Sequence, residues 1–154
     1  MGEVTRFESR FERWRPVPKG GWRETGGDRG GRRAACTTSA ATWSTRPCGC
    51  SGPVVDVYAE SDVRRSGVNA DDDTFIALSH AGGARSHLWV SAVTPRLGPP
   101  ASGWLGSRAG YLKYGLDVQE EQLRAGLTPA SPGFGEEPSE RWGTLGAGRR
   151  RGFR

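Results

Sequence analysis

From Val4 to Trp14 (VTRFESRFERW) residue types alternate along the chain. Thr5, Phe7, Ser9, Phe11 and Arg13 fall on one face, and Arg6, Glu8, Arg10, Glu12 and Trp14 on the other. Period-two patterning with Phe inward and alternating charge outward predicts a strand of an antiparallel sheet. Arg15-Pro16 ends it, and Val17 to Trp22 reads as a Pro/Gly loop. Val54–Ala59 is β-branched and aromatic and predicts a second strand, followed by a polar, turn-like stretch from Val63 to Asp72. Asp73–Ala81 and Arg85–Thr94 predict a third and fourth strand joined as a hairpin across Gly82-Gly83. Pro95 to Gly103 reads as loop, and Leu105–Tyr114 as a fifth strand or a strand pair. Asp117–Ala125 opens on Asp, carries two Glu early and is followed by Gly126, which predicts a short helix. Past Gly143 no core pattern remains, and a loose tail is expected. The predicted class is α+β: a partial, open, mostly antiparallel sheet with little helix to cover it.

Gly26 to Ser51 breaks this picture, having neither apolar period nor helix signals. Such a stretch inside a compact domain predicts a disordered insert. With only 34% apolar residues and 24 Gly among 154, the chain has room for one domain and not two. The expected organisation is an incomplete domain over 1–148, with 26–51 as the disordered insert and 149–154 as a disordered Arg-rich tail. No apolar run approaches the roughly 18 residues of a membrane span, so no membrane association and a cytoplasmic location are expected.

The formal charge of +5 suggests nucleic acid until its distribution is read. Arg29, Arg32, Arg33, Arg149, Arg150, Arg151 and Arg154 form two Gly/Arg-rich patches, and the +5 less these seven leaves −2. Solvated Arg runs are therefore favoured over a phosphate-tracking surface. Cys36, Cys48 and Cys50 include a Cys-Gly-Cys but have no His at ligand spacing, so no metal site is assigned. His80 and His87 sit on neighbouring predicted strands without a third ligand or an orienting carboxylate, and solvent-facing positions are expected. Asp71-Asp72-Asp73 lacks the spaced carboxylates of a calcium loop and reads as a solvated turn. Gly146, Gly148 and Gly152 have the wrong spacing for a dinucleotide loop.

The stretches VTRFESRFERWRPVPKGGWRE, DDDTFIALSHAGGARSHLWVSAV, LGSRAGYLKYGLDVQEEQLRAG and PGFGEEPSERWG together resemble the C-terminal domain of the Gfo/Idh/MocA oxidoreductases, named for glucose-fructose oxidoreductase and inositol dehydrogenase. The resemblance covers Gly2–Glu24, Pro53–Gly98 and Leu105–Gly148. It implies an intact protein with a preceding Rossmann domain that binds NAD or NADP and carries a lysine near its end. It further implies a second domain whose open sheet mediates subunit contacts and closes the substrate site, and a D-x-G-x-H motif that assists proton transfer. Arg15, Trp22 and Arg23 match the family's loop beside the substrate pocket and are the candidate substrate-binding residues.

Two departures from that pattern shape the functional expectation. The chain begins after the Rossmann domain, and the Cys-containing segment stands where the Asp/His motif belongs. GC-rich codons chosen for Ala34 to Pro53, read from the third base, spell GLHDLGSHLVDQALRLFG, which contains D-x-G-x-H and an amphipathic helix pattern. The same shift across Pro100–Trp104 yields RFRV, and the Arg-rich end from Arg149 reads as a third slip. The expectation is a truncated, locally frame-shifted piece of an NAD(P)-dependent oxidoreductase for a sugar, cyclitol or related polyol. Such a chain binds no cofactor itself, has no catalytic residues and is inactive alone. Its expected partner is a second copy or a paralogue, through the open sheet. The rival class is a basic, partly disordered nucleic-acid-binding or structural protein.

Overall fold

The computed structural model describes residues 1–20, 24, 49, 51–95, 101–115 and 118–147. Seven strands form one sheet: β1 (Val4–Glu12), β2 (Val54–Asp62), β3 (Asp73–His80), β4 (Arg85–Ser91), β5 (Ala101–Gly106), β6 (Ala109–Tyr114) and β7 (Thr144–Ala147). Their order is β2-β3-β4-β1-β5-β6-β7. All neighbours are antiparallel except β1 and β4, which run parallel. A short helix α1 (Gln119–Arg124) and a 3-10 turn (Ser139–Arg141) lie between β6 and β7. An open, largely antiparallel sheet with little helix among the described residues is the class the residue pattern predicts.

The alternation in β1 decides which face is covered. Phe7 and Ser9 are buried on one side, while Arg6 and Arg10 are exposed on the other. Register places Phe7 beside Ser86 of β4 and Trp104 of β5, and Ser9 beside Leu88 and Ser102. Phe7, Leu78 and Leu88 form the central cluster, with Val54, Ile76 and Trp104 packed against it. The Phe7 and Trp104 rings meet at 4.7 Å, and the Ser9 and Ser102 hydroxyls bond at 3.0 Å inside the same layer. Phe11, expected inward, is half-buried and packs on Val90. On the opposite face, Arg10 lies 4.5 Å from the Trp89 ring centroid. Phe75 and Trp89 meet there at 5.1 Å.

Several boundaries differ from the sequence expectation for local reasons. β2 continues three residues past Ala59 because Glu60, Ser61 and Asp62 pair with Phe75, Thr74 and Asp73. Leu105–Tyr114 resolves into a strand pair, whose first member starts at Ala101, inside the stretch read as loop. Pairing with both β1 and β6 outweighs the weak strand propensity of Ser102-Gly103 there. The tail past Gly143 is not loose at its start: Thr144–Ala147 forms β7, which pairs with β6 while leaving its side chains exposed. That edge is held by backbone bonds, which leave no apolar pattern to read. α1 begins after Val118, and Asp117 lies outside the described residues, as do the Arg-rich patches, the three Cys and the 149–154 tail.

The edge strand β2 is exposed along nearly its whole length, with Val55 67% and Val57 58% accessible. Gly83 takes a positive φ of 83° in the β3–β4 turn, a conformation that suits a residue without Cβ. Among the described residues no helix is long and apolar enough to cross a membrane.

Phe7 touches both halves of the sheet, so truncation there leaves a cavity at the central layer. Phe7→Ala is expected to lower unfolding stability by about 3–5 kcal/mol, read from urea denaturation.

Candidate functional site

β1, β2 and β4 end, and β3 begins, on one edge of the sheet, where the connection 63–72 meets residues 13–20 and Glu24. Main-chain bonds extend the sheet there: Arg13 N–H donates to Ser91 O at 2.8 Å and Arg15 N–H to Ala92 O at 2.8 Å, with a bridge between Trp14 and Val93. The centre of this region is Asp72. It is fully buried, which corrects the solvated-turn expectation for Asp71-Asp72-Asp73. Alternation along the strand entry turns the middle carboxylate inward, where a neighbouring arginine meets it.

Asp72 accepts three hydrogen bonds, from Arg64 N–H at 2.7 Å, Arg65 N–H at 3.1 Å and Arg65 Nε at 2.8 Å. The Arg65 side chain is 4% exposed, and its Nη1 donates to Glu24 Oε1 at 3.0 Å and to Arg15 O at 3.3 Å. Glu24 Oε2 accepts from Gly20 N–H at 2.9 Å, and Asn69 N–H donates to Glu24 O at 3.0 Å. One guanidinium thus joins two carboxylates and a carbonyl from three separate chain segments, the planar-fork geometry that suits arginine.

Burial acts to raise the Asp72 carboxyl, but the Arg64 and Arg65 amides and the Arg65 guanidinium outweigh it and hold it below its ordinary value. Glu24 behaves alike: burial opposes ionisation, while Arg65 and the amides of Gly20 and Lys19 draw the carboxyl down. Arg65 is raised, its two carboxylates outweighing its own burial.

Of the three candidate substrate-binding residues, the structure describes Arg15. Its side chain is exposed, and its backbone is held on both sides, by Ala92 through its N–H and by Arg65 through its carbonyl. Trp22 and Arg23 lie outside the described residues. Sequence reasoning misses Glu24 and Arg65 and meets Asp72 only as part of a solvated turn. The available signal is an Arg-Arg pair a short loop before three Asp.

The two histidines are not brought together. His80 is buried, contrary to the solvent-facing expectation: its Nδ1 lies 2.8 Å from Gly52 O and its Nε2 2.7 Å from the buried Ser86 Oγ. The carbonyl only accepts, so Nδ1 carries a proton and pins Gly52 to the hairpin. His87 points to the opposite face, its ring 6.0 Å from those of Phe75 and Trp89. Among the described residues no group of three or more His, Cys, Asp or Glu is placed to hold a metal ion.

Two hollows lie elsewhere on the sheet. An open groove of about 390 Å³ is lined by Glu8, Arg10, Gly103, Leu105, Gly110 and Leu112, among others. A second of about 560 Å³ is bordered by Tyr114, Glu121, Glu137, Glu140, Arg141 and Trp142. Beside it, Lys113 pairs with Glu137 and donates to Arg141 O at 3.1 Å, tying β6 to the segment before β7.

Residues 1–101 match the model of the GFO/IDH/MocA C-terminal domain. The chain belongs to this oxidoreductase family. Escherichia coli YdgJ, named an uncharacterized oxidoreductase, is 30% identical over 145 residues, covering 93% of this chain and 38% of the relative. The Bacillus subtilis yvaA structure superposes with a TM-score of 0.79 at 23% identity, covering 99% of this chain and 42% of that one. An oxidoreductase from Agrobacterium radiobacter, solved with NAD+, L-tartaric acid and magnesium, gives a TM-score of 0.59 at 18% identity, over 74% of this chain and 33% of that one. The chain therefore spans well under half the length of these proteins.

Removing Asp72 leaves the buried Arg65 with Glu24 as its one remaining carboxylate and strips the Arg64 and Arg65 amides of their acceptor, so Asp72→Ala is expected to cost about 3–5 kcal/mol by urea denaturation. Because the folded carboxyls titrate below their unfolded values, their stabilisation is complete above the ordinary carboxylate range and is lost as pH falls through the lowered folded values. The wild-type protein should lose stability below about pH 4, and Asp72→Asn should show a shallower fall across the same window.

Proposed function

We propose that this chain supplies the sheet domain of an NAD(P)-dependent oxidoreductase that acts on a sugar, cyclitol or related polyol. The observation that carries the reading is the family match over residues 1–101, taken with the anchored backbone of Arg15 at the sheet edge. In this reading Arg15, Trp22 and Arg23 contact substrate hydroxyls, and NAD or NADP is held by a nucleotide domain outside these 154 residues. The bound NAD+ in the Agrobacterium radiobacter relative supports the cofactor class. A dehydrogenase must place a nicotinamide against its substrate and take a proton from a hydroxyl, and the 154-residue chain alone is proposed to do neither.

The domain extends over 1–148 in this proposal, with 26–51 as an out-of-frame replacement for the motif segment and 149–154 as an Arg-rich end outside the described residues. It works in the cytoplasm. The sheet face that carries Arg6, Glu8 and Arg10, with the groove that Glu8 and Arg10 help to line, supports pairing with a second copy or a full-length paralogue. Nucleic acid is not a proposed partner.

The test is titration of the purified chain with NADH and NADPH, followed by nucleotide-dependent turnover on a polyol panel. Neither binding nor turnover is expected, whereas genomic reading across the locus should give a dinucleotide-binding frame upstream and the D-x-G-x-H motif in the shifted frame. Turnover by the chain alone, or an uninterrupted frame with no nucleotide domain beside it, would overturn the proposal.

A further inference from the structure

We infer that Arg65 is a positioning residue for the substrate-side connection: it fastens residues 15–20 and Glu24 to the sheet edge and so sets where Arg15 stands. The functional meaning of this role rests on the proposed reading of Arg15. The geometry does not. Asp72 holds the Arg65 backbone through its amide at 3.1 Å and the Arg65 side chain through Nε at 2.8 Å, so the guanidinium enters the site from a fixed origin. Its Nη1 then reaches two points on the other connection, the Arg15 carbonyl at 3.3 Å and Glu24 Oε1 at 3.0 Å. Glu24 closes the loop in turn by accepting from the Gly20 amide at 2.9 Å, where Gly20 has a positive φ of 72°.

Arg15 and Glu24 lie 50 and 41 residues from Arg65 in sequence, so local chain geometry cannot impose their place in the arrangement. A lysine offers a point charge on a flexible stem and cannot hold Asp72 and Glu24 in one plane. The other charged groups nearby have separate roles. Arg64 faces outward and pairs with Asp62 at 2.6 Å and Asp73 at 3.2 Å. Asp71 is half-buried beside the network, and Arg15 and Lys19 are exposed on the connection itself. Arg13 packs its guanidinium 4.1 Å from the Phe11 ring centroid. Arg65 therefore acts through the Arg15 backbone, without contact of its own to a ligand.

The test is backbone hydrogen exchange on the full 154-residue chain, comparing wild type with Arg65→Lys and Glu24→Gln. Exchange at the Arg13 and Arg15 amides, which bond Ser91 and Ala92, should quicken about tenfold in both variants, while residues 75–90 stay within about twofold. In wild type the same two amides should open further as pH falls below about 4, once intrinsic rates are corrected, and Glu24→Gln should flatten that profile. Unchanged exchange at Arg13 and Arg15, or an equal rise across 75–90, would overturn the role. Glu24→Gln leaves the Asp72 pair intact and keeps the test open if Arg65→Lys does not fold. Arg15→Ala keeps the carbonyl that Arg65 holds, so exchange should match wild type whether or not the Arg15 side chain meets a substrate, and the positioning role is tested apart from the proposed function.

Discussion

The fold depends on β1 lying between two antiparallel halves. It pairs parallel with β4, the inner edge of the β2-β3-β4 meander, and antiparallel with β5, the inner edge of the β5-β6-β7 meander. Each meander is built from strands consecutive in sequence, whereas both β1 pairings skip intervening strands. Closing such loops is entropically costly, and the compensating burial sits where it is needed, at Phe7 against Leu88 on one side and Trp104 on the other. The residue with the most work to do in the core is thus on the strand with the least local support.

A second, polar constraint operates where the strands end. Hydrophobic contact holds the middle of the sheet, while the 63–72 connection at its edge buries Val68 and Ala70 beside a charged network. Arg65, Asp72 and Glu24 add a hydrogen-bonded cap to that packing. The arrangement is rigid while all three are ionised and poorly tolerant of losing one, because a buried charge without its partner has no solvent to turn to. The domain's one described candidate contact residue, Arg15, stands on that cap.

The sequence made the strands legible because period-two alternation survives in β1, β3 and β4, where one face is buried and the other wet. It failed where stability comes from backbone pairing alone: β7 and the start of β5 carry no apolar signal, and only a neighbouring strand defines them. It failed differently at Asp72 and His80. Both are polar residues in unremarkable contexts, and their burial follows from partners such as Arg65, Gly52 and Ser86 that converge only in three dimensions. The family resemblance singled out Arg15, which stands on the edge connection, yet nothing in residue types pointed to the arginine that holds it.

The exposed outer strand β2 has a consequence for how copies of this protein meet. A nine-residue strand with Val55 and Val57 uncovered offers another chain an open row of backbone groups. If two copies approached edge to edge, antiparallel and centred on Tyr58, Asp56 of each would face Glu60 of the other. Like charges directly opposite oppose pairing, and the tyrosine hydroxyl donates to Glu60 at 2.5 Å, holding one of those carboxylates in place. In that register the acidic residues along β2 oppose pairing of the edge with its own copy and leave it to neighbours of other charge.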